Sequence, residues 1–94
     1  MSAKRIFTPE QAKEVGTKIG IAWNDAAFDL EQFRRGMDVE LEHGKRDTRT
    51  NVTNDDPVLT GKIAWAHLIE FPDYYTRLDV LETEADAYWS TRNK

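Results

Sequence analysis

The sequence predicts an all-α fold, a compact single-domain bundle of about four helices with a long polar loop between helices two and three. Three observations predict it. Apolar residues recur at three- and four-residue steps through most of the chain. Capping residues or prolines open four segments, and a glycine or proline closes the first three. The 94 residues suffice for one domain, predicted over 1–94, with a core from about 6 to 82 and a last helix extending to about 90.

The first helix is predicted to begin after Thr8. Proline follows at the first helical position, and Gln11 at the third position completes a capping-box pattern. Gly20 ends this helix, and Ile21 beyond it is expected to fold back on Val15, as in a Schellman end. Trp23 and Phe28 lie in the connection that follows, and both rings are expected to pack against the core from this loop.

The second helix is predicted from Asp29 to Gly44. Its core stripe recurs at helical spacing: Leu30, Phe33, Met37 and Leu41. Residues 45–56 then form the polar loop, which is long for a connection between helices. Its asparagine and aspartate residues favour local turns.

The third helix is predicted from the cap Asp56 to about Phe71, where Pro72 stops it. Apart from Lys62, His67 and Glu70 it is apolar or small on every side. That pattern is typical of a central helix.

The fourth helix is predicted to start near Pro72. Its apolar positions share one face: Tyr74, Tyr75, Leu78, Leu81, Ala85, Tyr88 and Trp89. We expect Tyr74 and Tyr75 to pack in the core. Tyr88 and Trp89 lie near the end of the chain, where exposed aromatic rings indicate a surface for a partner or for self-association.

Composition excludes several classes of protein. With 13 basic and 17 acidic residues the net charge is −4, so we expect no nucleic-acid binding. The absence of cysteine excludes disulfides and thiolate metal sites, and it fits a cytoplasmic protein. The longest uncharged stretch, residues 63–69, is too short to span a membrane, and the basic start lacks the apolar segment of a secretory signal.

One constellation stands out. Glu40 and His43 are three residues apart on the second helix, and His67 and Glu70 repeat the spacing in mirrored order on the third. Residues three apart share a helix face, and these are the only two histidines in the chain. If the two helices pack antiparallel, His43 lies level with His67 and Glu40 with Glu70.

Two interpretations of this constellation stay open. Two histidines and two glutamates form an acceptable tetrahedral set for one zinc ion, or a partial set for manganese or iron. The same side chains could instead form a structural hydrogen-bond network, completed by Tyr74, Tyr75 and Arg77.

Several segments carry a resemblance to a known family. They are residues 7–12, 28–33, 36–44, 50–57, 62–64 and 66–78, the last reading Ala-His-Leu-Ile-Glu-Phe-Pro-Asp-Tyr-Tyr-Thr-Arg-Leu. Over about residues 6–81 the chain resembles a family of short bacterial proteins that is called domain of unknown function 5661. A related pattern occurs in some phage-borne proteins. The resemblance implies that Glu40, His43, His67 and Glu70 belong together, but it supplies no activity. After about residue 82 the chain departs from the pattern.

We therefore expect a non-catalytic binding or protein-interaction module with an unidentified protein partner. The alternative is a metal-binding protein that holds a single zinc, manganese or iron ion at Glu40, His43, His67 and Glu70 and is hydrolytic. No catalytic residue is assigned, because there is no cysteine and no serine lies near either histidine in the sequence. A phage-associated structural or accessory role is a third hypothesis and rests on analogy.

Overall fold

The computed structural model describes residues 6–92, which form four α-helices and one short 3₁₀ turn. The helices are α1 (Pro9–Ile19), α2 (Leu30–Glu40), α3 (Pro57–Glu70) and α4 (Tyr74–Arg92). The 3₁₀ turn (Leu41–His43) continues α2. Residues 6–92 contain no strand, so the predicted all-α bundle is confirmed.

Both ends of α1 have the predicted local structure. The Thr8 hydroxyl accepts a hydrogen bond from Gln11 N at 3.1 Å, and Thr8 N donates to Gln11 Oε1 at 2.9 Å. At the other end Gly20 adopts the left-handed conformation with φ 109°, which costs glycine little. Ile21 N then donates to Gly16 O at 2.9 Å, and the Ile21 side chain is buried. These contacts reproduce the capping box and the Schellman end.

The caps of α2 and α3 are also as predicted. Asp29 Oδ1 accepts from Gln32 N at 2.9 Å. Asp56 Oδ1 accepts from Val58 N at 2.8 Å and from Leu59 N at 3.1 Å. Such capping bonds satisfy amide groups that have no partner inside the helix.

The segment between α2 and α3 is folded against the end of α2. Val52 N and Thr53 N both donate to His43 O, at 2.6 and 3.2 Å. Asp55 Oδ1 accepts from Lys45 N at 2.9 Å, and Thr53 is buried. The regular α-helix stops at Glu40, earlier than predicted, because the last residues before Gly44 tighten into the 3₁₀ turn.

The core lies where α1, α2 and α3 meet. Its buried apolar residues are Ala12, Val15, Ile21, Phe33, Met37, Ala64, Leu68 and Tyr75. Trp23 and Phe28 pack against this core from the connection, as predicted, and the Trp23 ring meets Phe33 edge-on with centroids 5.6 Å apart.

Helix α3 contacts α1, α2 and α4 and is central in that sense. It is not enclosed on every side, however. Leu59 and Ile69 are exposed, and so is Ala66. Part of the apolar surface of α3 is therefore not covered by the other helices and faces solvent. Neither α3 nor any other helix within residues 6–92 combines the length and apolar character that crossing a membrane would require.

Helix α4 packs on the bundle only through its first part, residues 74–82. Tyr75 is buried and Leu78 is half-buried, whereas every residue from 83 to 92 is exposed. Polar contacts fasten this start to α2, and among them Gln32 Nε2 donates to Thr76 Oγ1 at 2.8 Å and Arg35 pairs with Asp79. The predicted apolar face of α4 thus reaches the core only as far as Leu78, and the longest dimension of the molecule is 48 Å.

Candidate functional site

The centre of the candidate site is the buried carboxylate of Glu40. Glu40 is the last residue of α2 and is only 3% exposed. Its Oε2 atom accepts a 2.6 Å hydrogen bond from the Tyr75 hydroxyl, which comes from the first turn of α4. A buried carboxylate is costly unless other groups compensate its charge. The neutral Tyr75 hydroxyl supplies one hydrogen bond and no positive charge.

Two imidazole rings flank this carboxylate. His43 Nε2 lies 3.6 Å from Glu40 Oε1, and His67 Nε2 lies 3.7 Å from Glu40 Oε2. These distances are longer than hydrogen bonds, and the contacts become ion pairs when the imidazoles are protonated. The His43 side chain is 45% exposed and the His67 side chain 33%, so both rings lie between the carboxylate and solvent.

Aromatic stacking holds His67 in place. Its ring lies nearly parallel to that of Tyr74, with centroids 4.2 Å apart and planes inclined by 13°. Tyr75 meets Tyr74 edge-on at 5.0 Å. The adjacent tyrosines therefore have different roles, since one stacks on the imidazole and the other bonds the carboxylate.

The position of Tyr75 depends on a glycine. A Cβ atom added to Gly36 would overlap the Tyr75 ring carbons Cε2 and Cζ, and it would lie 3.0 Å from Ala64 Cβ. The absence of a side chain at Gly36 thus lets α2 approach α3 and lets the Tyr75 ring lie across α2.

Burial and neighbouring charge act on both tyrosines. Burial, followed by the hydrogen bond to Glu40, raises the pKa of Tyr75 far above its ordinary range. Burial and then the charge of Glu40 also raise the pKa of Tyr74. Tyr75 therefore stays a neutral hydrogen-bond donor at physiological pH.

The structure brings together three of the four predicted residues. Glu70 is exposed at the end of α3, and within residues 6–92 no hydrogen bond or ion pair joins it to Glu40, His43 or His67. The proposed network member Arg77 is also elsewhere. It donates to Asp73 Oδ1 at 2.8 Å, and its guanidinium lies 4.0 Å from the centre of the Phe71 ring.

The register of α2 against α3 explains why Glu70 lies apart. Gly61 is close to Phe33, Gly36 is close to Ala64, and Glu40 faces His67. Later residues of α2 therefore meet later residues of α3, the reverse of the order in an antiparallel pair. As a result Glu40 faces His67, and the predicted pairings of His43 with His67 and of Glu40 with Glu70 do not form.

The site combines a buried carboxylate with one hydroxyl donor and two nearby imidazole rings. Glu40, His43 and His67 offer one carboxylate and two imidazoles, which are ligand types for zinc, manganese or iron. As the side chains are placed, residues 6–92 contain no group of three or more histidine, aspartate or glutamate side chains arranged to hold a metal ion.

A second buried charge was not predicted. Asp38 is 3% exposed and accepts hydrogen bonds from Phe7 N at 2.9 Å and from Arg34 Nη1 at 2.7 Å. Arg34 also pairs with Glu31, and that contact is the leading cause of the raised pKa of Arg34. The four-residue spacing of Arg34 and Asp38 was a signal for this pair.

An apolar surface runs along α4 and begins at Tyr74, the ring that stacks on His67. We define the α4 seam as Tyr74, Leu78, Leu81, Ala85 and Tyr88, which follow one another at alternating steps of four and three residues. Leu81 is 59% exposed and Tyr88 48%. At its start the seam lines an open pocket of about 200 Å³, together with Phe71 and Arg77. This spacing is the a/d pattern by which one helix packs along another.

Comparison with known proteins gives a family but no activity. The family described as "Protein of unknown function (DUF5661)" matches residues 12–84, which include Glu40, His43, His67, Tyr75 and most of the α4 seam. Neither a curated protein nor a solved structure matches the chain. Because the match covers well over half of the sequence, the chain belongs to this DUF5661 family.

Proposed function

We propose that this protein is a non-catalytic protein-interaction module that binds an amphipathic helix along the α4 seam. One observation carries the proposal. Helix α4 continues from 83 to 92 with every residue exposed, and it retains apolar residues at helix-packing spacing. A lone surface helix gains nothing from such a stripe unless another element covers it.

The shape of the surface supports a helical partner over a small molecule. The pocket at the start of the seam, about 200 Å³, is smaller than typical small-ligand sites and is lined mainly by apolar and aromatic side chains. The whole seam, from Tyr74 to Tyr88, extends for about 20 Å along α4 at 1.5 Å per residue. A partner helix with apolar residues at three- and four-residue spacing would match that length.

In this proposal the Glu40 site has a structural role. The Tyr75–Glu40 hydrogen bond and the His67–Tyr74 stack attach the first turn of α4 to α2 and α3. They would therefore set the direction in which the exposed part of α4 projects.

The test uses a labelled synthetic helix with leucine at the seam spacing, titrated with the full chain and followed by fluorescence anisotropy. Leu81→Lys should weaken binding at least about tenfold, because a buried leucine is worth about 1.5–3 kcal/mol. The control is Val80→Lys, since Val80 is equally exposed, at 63%, but lies off the seam. Absence of binding, or equal loss in the two variants, would refute the proposal.

Binding of a single divalent ion is a second candidate function. It is favoured by the buried Glu40 carboxylate, which has two imidazole nitrogens within 3.7 Å and, among residues 6–92, only a neutral hydroxyl as a hydrogen-bond donor. Because Glu70 lies outside this cluster, a fourth ligand would have to be solvent. Side-chain movement would also be needed to bring the three groups onto one ion.

Thermal unfolding tests this candidate. An ion that binds only the folded chain raises its stability by mass action. Zinc, manganese or ferrous iron should therefore raise the melting temperature of the parent chain, a chelator should reverse the rise, and His43→Ala should abolish it. Identical melting temperatures with and without each metal would exclude the site.

We further propose that the protein acts in the bacterial cytoplasm. The absence of cysteine supports a reducing compartment. The bacterial setting and the phage-associated role rest on the resemblance described above.

A further inference from the structure

We propose that the helix bound by the α4 seam is the α4 of a second copy of this chain, running antiparallel. This inference rests on the proposed function and specifies its partner. A twofold symmetric pair uses the same surface on both copies, so the seam must be complementary to itself.

The order of residue sizes along the seam meets that requirement. In an antiparallel register centred between Leu78 and Leu81, Leu78 of each copy faces Leu81 of the other. Tyr74, a large ring, then faces Ala85, the smallest seam residue. A parallel pair would set Ala85 against Ala85 and Tyr74 against Tyr74, leaving a gap in one layer and crowding in another.

The same register covers the exposed apolar residues at both ends. Tyr88 and Trp89 of one copy come beside Ile69 and Phe71 of the other. All four are exposed in the single chain, with Trp89 at 56% and Ile69 at 68%. The pocket lined by Phe71, Tyr74, Arg77, Leu78 and Leu81 is the space that the second helix would enter.

The charges beside the seam are also complementary in this register. Arg77 and Glu84 occupy equivalent positions one heptad apart, and an antiparallel arrangement sets Arg77 of each copy against Glu84 of the other. Arg77 is 58% exposed and pairs with Asp73 in the single chain. Glu84 is exposed and makes no side-chain hydrogen bond or ion pair within residues 6–92. Two intermolecular pairs would therefore form by symmetry.

Sedimentation velocity of the full chain over a wide concentration series measures the association. The expected result is a reversible monomer–dimer equilibrium. Leu81→Lys should raise the dimer dissociation constant at least about tenfold, and Val80→Lys should change it less than about twofold. A chain that remains monomeric at the highest concentration overturns the inference, as does equal weakening by the two variants.

A charge exchange tests the register. Glu84→Arg should weaken the dimer about threefold to tenfold, because it sets two arginines against each other on both sides. Adding Arg77→Glu to that variant should restore most of the lost affinity. A parallel pair would instead set Arg77 against Glu82, so no effect of Glu84→Arg or no rescue overturns the antiparallel register.

The absence of cysteine allows a direct measurement of orientation. Ser90→Cys places a single spin label on an exposed outer position of α4. Antiparallel helices should separate the two labels by more than about 30 Å, whereas parallel helices should hold them at about 20 Å, two helix diameters. A dominant short distance overturns the inference.

These results separate the inference from the proposed function. If the leucine-spaced synthetic helix binds and the chain stays monomeric, the interaction module stands and self-association is wrong. If neither association occurs, both are wrong.

Discussion

The Tyr75 hydroxyl donates a 2.6 Å hydrogen bond to Glu40 Oε2, and both residues are at least 97% buried. The two side chains join the end of α2 to the beginning of α4, 35 residues apart in sequence. A buried carboxylate with a neutral donor and two flanking imidazoles is a strong local constraint. Substitutions that remove this contact at the start of α4 should therefore lower the stability of the fold.

Tyr75→Phe should destabilise the fold by about 1–3 kcal/mol, because it leaves the buried Glu40 carboxylate without its hydrogen-bond donor. Urea unfolding followed by circular dichroism measures the change. Tyr88→Phe is the matched control, since Tyr88 lies on the exposed part of α4 and makes no side-chain hydrogen bond through its hydroxyl within residues 6–92. Equal stability of the two variants would show that the Tyr75–Glu40 bond contributes nothing.

Alkaline pH should destabilise the protein through Tyr75. The folded chain raises the pKa of Tyr75, so above the ordinary tyrosine pKa of about 10 the unfolded chain loses a proton that the folded chain retains. The contribution of Tyr75 is therefore complete below about pH 10 and decreases as the pH rises beyond it. The free energy of unfolding should fall between about pH 8 and about pH 11. This fall should be smaller in Tyr75→Phe, which lacks the group, than in Tyr88→Phe, which retains it. The same loss in both variants would contradict this assignment.

Gly36→Ala should destabilise the protein, although alanine normally favours a helix over glycine by about 1 kcal/mol. The added Cβ would overlap the Tyr75 ring, whose hydroxyl is held by the buried Glu40 carboxylate. We expect a net loss of about 1–3 kcal/mol. In a Tyr75→Ala background the same change should cost much less, because the ring is absent. A stabilised Gly36→Ala chain would mean that α2 and α4 are not in close contact.

Asp38→Ala should cost about 3 kcal/mol or more, because it leaves the buried Arg34 guanidinium without one of its two carboxylate partners. Asp79→Ala is the comparison, since it removes the carboxylate of a more exposed arginine–aspartate pair with Arg35. That change should cost no more than about 1 kcal/mol. Chemical denaturation measures the free energy of unfolding of both variants. Similar losses of stability would contradict the claim that burial makes the Arg34–Asp38 pair more costly to break.

His67→Ala should cost about 1–2 kcal/mol, because it removes the ring stacked on Tyr74 and the imidazole beside Glu40. His43→Ala, at the more exposed of the two imidazoles, should cost less. The comparison requires only the unfolding midpoints of the two variants. A negligible loss from His67→Ala would mean that Glu40 does not depend on this imidazole.

Local sequence predicted the helices and their ends well. The capping box at Thr8, the left-handed Gly20 and the caps Asp29 and Asp56 all form as expected. Each depends on a side chain and a backbone group within a few residues of each other. The residues that determine where a helix begins or ends are therefore close to one another in the sequence.

The candidate site was predicted only in part. The three-residue spacing predicted that His43 lies near Glu40, and the network interpretation included Tyr75, which donates to Glu40 in the structure. Glu70 was included because it repeats the three-residue spacing beside His67, and Arg77 was included as a member of the hydrogen-bond network. The pairing of Glu40 with Glu70 assumed an antiparallel register. No local pattern specifies the register of two helices joined by a long loop.

The amino-acid sequence by itself determined the all-α class, the starts of α1, α2 and α3, and the apolar stripe along α4, because these follow from backbone propensity, capping and periodicity. Only the tertiary structure decided that Glu40 meets His67 and Tyr75, and that the α4 stripe leaves the core after Leu78. Those outcomes depend on how closely α2 approaches α3 and α4 at Gly36. That approach is a property of packing between segments distant in the chain, so local rules cannot specify it.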